Sequence, residues 1–190
     1  MLTFSIPHVF KALQLLSKER FVSRATFGKE INLGEGAVKT LISHLKEAKM
    51  IETTKSGSFL TDYGKKFTTQ IQKVISNECK IKKCSVVTGK NNHAVILKGY
   101  GFSIKSGLEQ RDYAILYGST GCTTILFKEN KFVFPGDYRD CFRKDKKTKN
   151  YIVENLSPEE GDVIIISSSN DPFVAEISAK NSALWTLATN

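Results

Sequence analysis

The stretch from Thr26 to Leu60 constrains the fold more than any other part of the chain. Two helical patterns, Arg24–Ile31 and Glu35–Ala48, flank a tight polar turn, Asn32-Leu33-Gly34. The second pattern keeps Val38, Leu41, Ile42 and Leu45 on one side at helical spacing. Its other face offers Gly36, Lys39, Thr40, Ser43, His44 and Lys46. A strand pattern follows at Met50–Thr54, then a turn with a basic tip, Lys55-Ser56-Gly57-Ser58, and then Phe59-Leu60. This order predicts a helix-turn-helix with a wing. Residues 36–46 would enter a major groove, while Lys55, Ser56 and Ser58, with Arg24 and Lys39, would hold phosphates. The competing reading is a helical unit that packs only against protein and whose polar face is merely solvated.

Charge supports the first reading. The net charge is +9, and Met1–Lys80 holds 13 Lys/Arg against 7 Asp/Glu, whereas Ile81–Asn190 holds 15 against 12. The basic excess is therefore densest around the helix-turn-helix, as phosphate neutralisation requires. No apolar run reaches the roughly 18–20 residues of a membrane-spanning helix, and Met1–Pro7 lacks the pattern of a secretion signal. The expectation is a cytoplasmic protein without membrane contact. Cys79, Cys84, Cys122 and Cys141 form no Cys-x-x-Cys pair and have no histidines at zinc spacing, so they read as small buried or half-buried thiols. Cys79 with Cys84 is the one candidate redox pair. Neither a metal nor a cofactor is expected.

Helices are expected from Pro7 to about Lys18, capped by Ser5, and from Tyr63 to about Ser76; Ser23 caps the helix between them. Gly34 and Gly36 would free the backbone where the recognition helix starts. Glu35 would oppose a phosphate there unless it faced a base edge or an internal partner. The basic cluster Lys80-Ile81-Lys82-Lys83 sits near the expected boundary between two domains, 1–80 and 81–190. In the second half, Cys84–Thr88, Ala94–Lys98, Cys122–Phe127, Phe132–Phe134 and Asp162–Ser167 read as strands. Ser103–Tyr117 and Pro172–Leu187 read as helices, and Asp140–Asn150 as a charged, mobile loop. That order is not a strand-helix-strand alternation, which makes the class α+β, or α/β with mixed pairing.

Three segments, Gly107-Leu108-Glu109-Gln110-Arg111-Asp112-Tyr113-Ala114, Gly118-Ser119-Thr120-Gly121-Cys122-Thr123-Thr124 and Phe132-Val133-Phe134-Pro135-Gly136, resemble an archaeal family. Leu33–Leu41 is similar to the opening of its recognition helix. Members of that family join an N-terminal winged helix to an uncharacterised C-terminal domain. The resemblance spans most of the chain and implies an archaeal transcriptional regulator; it implies no particular ligand.

The richest polar constellation in the second half is Gln110, Arg111 and Asp112 with Ser119, Thr120, Thr123 and Thr124. Arg111 is a planar bidentate donor, and a Gly-Ser-Thr-Gly turn exposes backbone N–H groups. Together they would rim a pocket for a small anionic effector. The alternative is that Arg111 pairs with Asp112 or Glu109 and the glycines only make a turn. His8, His44 and His93 lie far apart, and no catalytic set is visible, so no enzyme is expected. The primary expectation is a regulator that binds double-stranded DNA and forms a homodimer. The rival is an enzyme or binding protein for a small anionic metabolite, with the winged helix as an appendage; RNA binding is a third, weaker option.

Overall fold

Polar caps set where the N-terminal helices begin. In a computed structural model, which describes residues 4–87 and 89–190, α1 (Ile6–Lys18) follows Ser5, whose Oγ lies 2.9 Å from His8 Nδ1. α2 (Arg24–Glu30) follows Ser23, whose Oγ accepts the Thr26 N–H at 3.0 Å. Asn32 then adopts φ 52°, and the Leu33 N–H donates to the Gly28 carbonyl at 3.1 Å. α3 (Glu35–Glu47) buries Val38, Leu41, Ile42 and Leu45, the set its spacing predicts. These side chains close a core with Ala12, Leu13, Leu16, Phe27 and Ile31, and Leu33 packs against it from the turn. Phe27 and Ile31 are fully buried, each contributing about 1.5–3 kcal/mol through removal of apolar surface from water.

A hairpin follows, β1 (Ile51–Thr54) with β2 (Gly57–Leu60), registered with Ile51 opposite Leu60. Val22 joins it as a third, single-residue strand. The Val22 N–H donates to the Ser58 carbonyl and the Ser58 N–H to the Val22 carbonyl, both at 2.9 Å. Glycine is required at 57 to permit this: φ is +131°, and a Cβ there would stand 2.7 Å from the Val22 carbonyl oxygen. Next, Thr61 Oγ1 donates to the Lys49 carbonyl at 2.7 Å and accepts the Gly64 N–H at 3.0 Å, anchoring the start of α4 (Asp62–Val74).

The chain divides into two units between Ile71 and Gln72, ahead of the expected residue 80. The reason is that β3 (Ile75–Ile81) is neither helix end nor linker but an edge strand of a second sheet. With β4 (Asn91–Leu97), β5 (Gly121–Lys128), β6 (Lys131–Val133) and β7 (Val163–Ser169) it gives the order β3-β4-β7-β5-β6, antiparallel throughout. With seven α-helices and two antiparallel sheets among the described residues, the protein is α+β.

Successive residues of a strand point to opposite faces, which assigns the two layers of this unit. Ala94, Ile96, Ile125, Ile164 and Ile166 pack with Phe132, Phe142 and, from α6 (Lys146–Leu156), Ile152 and Leu156. The opposite face, with Val95, Leu97, Val163 and Ile165 fully buried, is covered by α5 (Leu108–Ile115) and α7 (Pro172–Ala188). Asp171 caps α7 by accepting the Phe173 and Val174 N–H groups at 2.7 and 3.2 Å.

Three other expectations change. The helix expected over Ser103–Tyr117 is a 3₁₀ turn, Gly101–Ser103, then α5, because Gly107 at φ 80° interrupts it. The supposed loop Asp140–Asn150 contains the start of α6, nucleated when Asp145 accepts the Thr148 N–H at 3.0 Å. The strand expected at Cys84–Thr88 is a single bridge, Cys84 to Val87, and Thr88 lies outside the described residues, as do Met1, Leu2 and Thr3. Among the described residues no helix is long and apolar enough to cross a membrane.

Candidate nucleic-acid interface

α3 turns one side inward, and its other side is open. Gly36, Lys39, Thr40, Ser43, His44 and Lys46 are all exposed, as are Arg24, Lys55 and Ser56. The helix is long enough to run three turns past the N-terminal unit's core with a continuous polar stripe. Local bonds hold that stripe in a defined conformation: Thr40 Oγ1 donates to the Gly36 carbonyl at 3.0 Å, and Ser43 Oγ donates to Glu47 Oε1 at 3.1 Å. Glu35 takes the internal partner that its position called for. Its carboxylate meets Lys39 Nζ at 3.0 Å, and the hydrogen bond and charge of Lys39 lower its pKa. The His44 ring stands edge-on to Phe4 at 6.0 Å between centroids.

The two glycines flanking Glu35 do not have the role expected of them. Gly34 has an ordinary φ of −67°, and a Cβ at Gly34 or Gly36 would meet nothing within 4 Å. Neither is demanded by the fold. Gly36 is the second residue of α3, and local structure gives no reason for a glycine there.

The β1–β2 hairpin differs from expectation at one residue. Ser58 is 3 % exposed, with its backbone bonded to Val22, and cannot hold a phosphate. Lys55 and Ser56 remain at the tip. They line a groove of about 350 Å³ with Ser23, Arg24 and Thr53, so that two cations expected to hold phosphates, Arg24 and Lys55, share one surface depression.

In the second unit the expected effector pocket is not assembled. Gln110 is buried and donates to Thr186 Oγ1 at 3.1 Å. Ser119 is buried too, donating to the Gly121 and Ser168 carbonyls at 2.6 and 3.1 Å and accepting from Ser167 Oγ at 2.9 Å. Thr123 and Thr124 point to opposite faces of the sheet; Thr123 Oγ1 donates to the Val86 carbonyl, while Thr124 packs under Gly107. Thr120 Oγ1 donates to the Ser168 carbonyl at 3.1 Å. Arg111, Asp112 and Thr120 are open, and Arg111 lies 3.8 Å from Asp112, the pairing weighed as the alternative.

A different constellation is present, assembled from residues about 100 positions apart. Lys180 Nζ lies 2.7 Å from Glu176 and 2.9 Å from Glu78, and Glu78 also meets His93 Nε2 at 3.2 Å. Burial opposes ionisation of Glu78, yet hydrogen bonds and charges from His93 and Lys180 outweigh it and hold its pKa at about 2. With Lys180 only 1 % exposed, this is a closed ion network beneath α7. The i,i+4 spacing of Glu176 and Lys180 was the one signal available in the sequence. All four cysteines are free; burial pushes the Cys79 thiol up to about 12. The described residues contain no cluster suited to a metal ion.

A solved structure, that of the hypothetical protein PH0730 from Pyrococcus horikoshii OT3, is similar to this chain with a TM-score of 0.79 and 27% identity. The likeness covers 98% of this chain and 95% of that one, so it extends over both units. No curated protein matches the chain. Residues 86–187, more than half of the sequence, match the family model described as a domain of unknown function (DUF4443), and the protein belongs to that family.

Proposed function

We propose that this protein is a winged-helix regulator that binds duplex DNA through its N-terminal unit. The observation that carries the reading is the open side of α3, where Gly36, Lys39, Thr40, Ser43, His44 and Lys46 are exposed, with the Phe4 ring set edge-on to His44. The helix order, the hairpin tied to Val22 and the basic charge of this half agree with it. Gly36 adds an independent argument: a residue with no folding role there leaves room for a phosphate backbone to approach the helix start closely.

The second unit supports self-association. Leu108, Ile115 and Leu116 on or just after α5 and Trp185 on α7 are exposed apolar side chains on two helices that pack together. Two copies joined through such a surface would present two recognition helices to a symmetric site.

The test is titration of the full-length protein against a genomic-fragment library and a random 30-base-pair duplex over a range of salt. Affinity should fall steeply with salt. Lys39→Ala should lower affinity across sequences and reduce the salt slope by about one. Gly36→Glu should abolish binding while the melting temperature stays near wild type. Wild-type protein that ignores duplex at low salt, or a Gly36→Glu variant that binds normally, would refute the assignment.

A further inference from the structure

Two lysine-rich runs more than sixty residues apart converge in the second unit. Lys82 and Lys83, just beyond β3, face Lys147, Thr148, Tyr151 and Glu154 of α6, whereas Lys80, opposite His93, alternates to the α7 face of the sheet. Between them lies a groove of about 740 Å³, within the range of roughly 300–1,000 Å³ typical of small-molecule sites. The α6 residues occupy one helical stripe, since 147, 151 and 154 are spaced by four and three.

Elsewhere in this unit, lysines that stabilise the fold are bound to carboxylates: Lys98 to Asp162, Lys149 to Asp140 and Lys180 to Glu78 and Glu176. Among the described residues, Lys80, Lys82 and Lys83 have no such ion-pair partner. Of the two carboxylates in the groove, Asp145 is occupied by the Thr148 N–H and Oγ1 at 3.0 and 2.8 Å. Asp145 stays ionised beside Lys147, but Lys82, Lys83 and Lys147 outnumber the two carboxylates, Asp145 and Glu154, which leaves net positive charge in a concave space with a half-open aromatic ring, Tyr151, at its side. Polar Thr148 and Asn150 complete the lining.

We infer that this groove binds a nucleoside polyphosphate, the phosphate chain lying along Lys82, Lys83 and Lys147 and the base stacking on Tyr151. Phosphate oxygens satisfy several ammonium groups at once, and a planar base covers an exposed phenol ring at little conformational cost. The site is separate from the α3 surface and does not depend on the DNA-binding reading.

Calorimetric titration of the full chain with adenosine triphosphate and with inorganic triphosphate tests it. Wild type should bind both saturably at physiological salt. Lys82→Ala with Lys147→Ala should weaken both by about a hundredfold, because each lost charge-assisted bond is worth about a tenfold change. Tyr151→Ala should weaken the nucleotide alone, and Tyr151→Phe should restore it. Glu154→Gln should tighten both by removing a repelling charge. Lys39→Ala should change neither, so a failure of duplex binding with intact nucleotide binding sinks only the earlier proposal. Absence of saturable binding at millimolar ligand, or binding that the double lysine variant leaves unchanged, overturns the inference. So does a result in which groove variants weaken duplex DNA while wild type ignores both triphosphates.

Discussion

The Lys180 ammonium lies 2.9 Å from the Glu78 carboxylate, with 1 % of the lysine side chain exposed. Glu176 accepts from the same nitrogen at 2.7 Å. Two carboxylates thus share one buried cation, and removing it leaves Glu78 with His93 as its remaining charged neighbour and takes a buried ammonium away from Glu176. Lys180→Met should destabilise the protein by about 3–5 kcal/mol, measured by denaturant unfolding. Adding Glu78→Gln and Glu176→Gln should recover most of that loss. Full stability in Lys180→Met alone would show that the network does not bear on folding.

Acid should probe the same group. The Glu78 pKa is depressed from 4.5 to about 2 in the folded protein. A depressed carboxylate favours the folded state at pH values above its unfolded pKa. Its contribution, about 3 kcal/mol, is lost as the pH falls from about 4.5 toward 2. Glu78→Gln should therefore be less stable than wild type at pH 7 and should show a flatter stability profile across that window. Parallel profiles for the two proteins would contradict the shift.

The β1–β2 hairpin gives a steric prediction. Any side chain at 57 meets the Val22 carbonyl and must also adopt φ +131°. Gly57→Ala should cost about 2–3 kcal/mol of stability, from the strained backbone and the forced displacement together. Amide exchange at Val22 and Ser58 should accelerate first, since their paired bonds are the ones displaced.

Association should depend on the α5 surface. Leu116 is 74 % exposed and follows the last turn of that helix. If the second unit self-associates there, sedimentation should detect a dimer in wild type and a monomer in Leu116→Glu, with the melting temperature little changed. A dimer that survives this substitution would place the contact elsewhere.

Legibility from sequence followed the origin of each element's partners. α3 was readable because Val38, Leu41, Ile42 and Leu45 pack on neighbours close in the chain, leaving an undiluted helical period. β7 was readable because its Val163–Ile166 run is covered on both faces. β3 was not, because a bulge between Ile75 and Glu78 breaks its alternation, and Glu78 is accommodated by His93 and by Lys180, far along the chain. α6 was hidden by its lysines, with just Ile152 and Leu156 reaching the core. The anticipated pocket failed for a geometric reason: Thr123 and Thr124 were grouped by adjacency, whereas neighbours on a strand lie on opposite faces. The groove between β3 and α6 could not be foreseen while both of its walls were assigned to other structure.

The junction between α4 and β3 has a practical consequence. Val74 is the last residue of the helix and Ile75 the first of the strand, so no slack peptide separates them. Trypsin, which needs several pliant residues in an extended conformation, finds hydrogen-bonded backbone from Asp62 to Ile81. Limited digestion should leave the chain whole across that region, and recombinant fragments ending anywhere within it would begin or finish with a severed structural element.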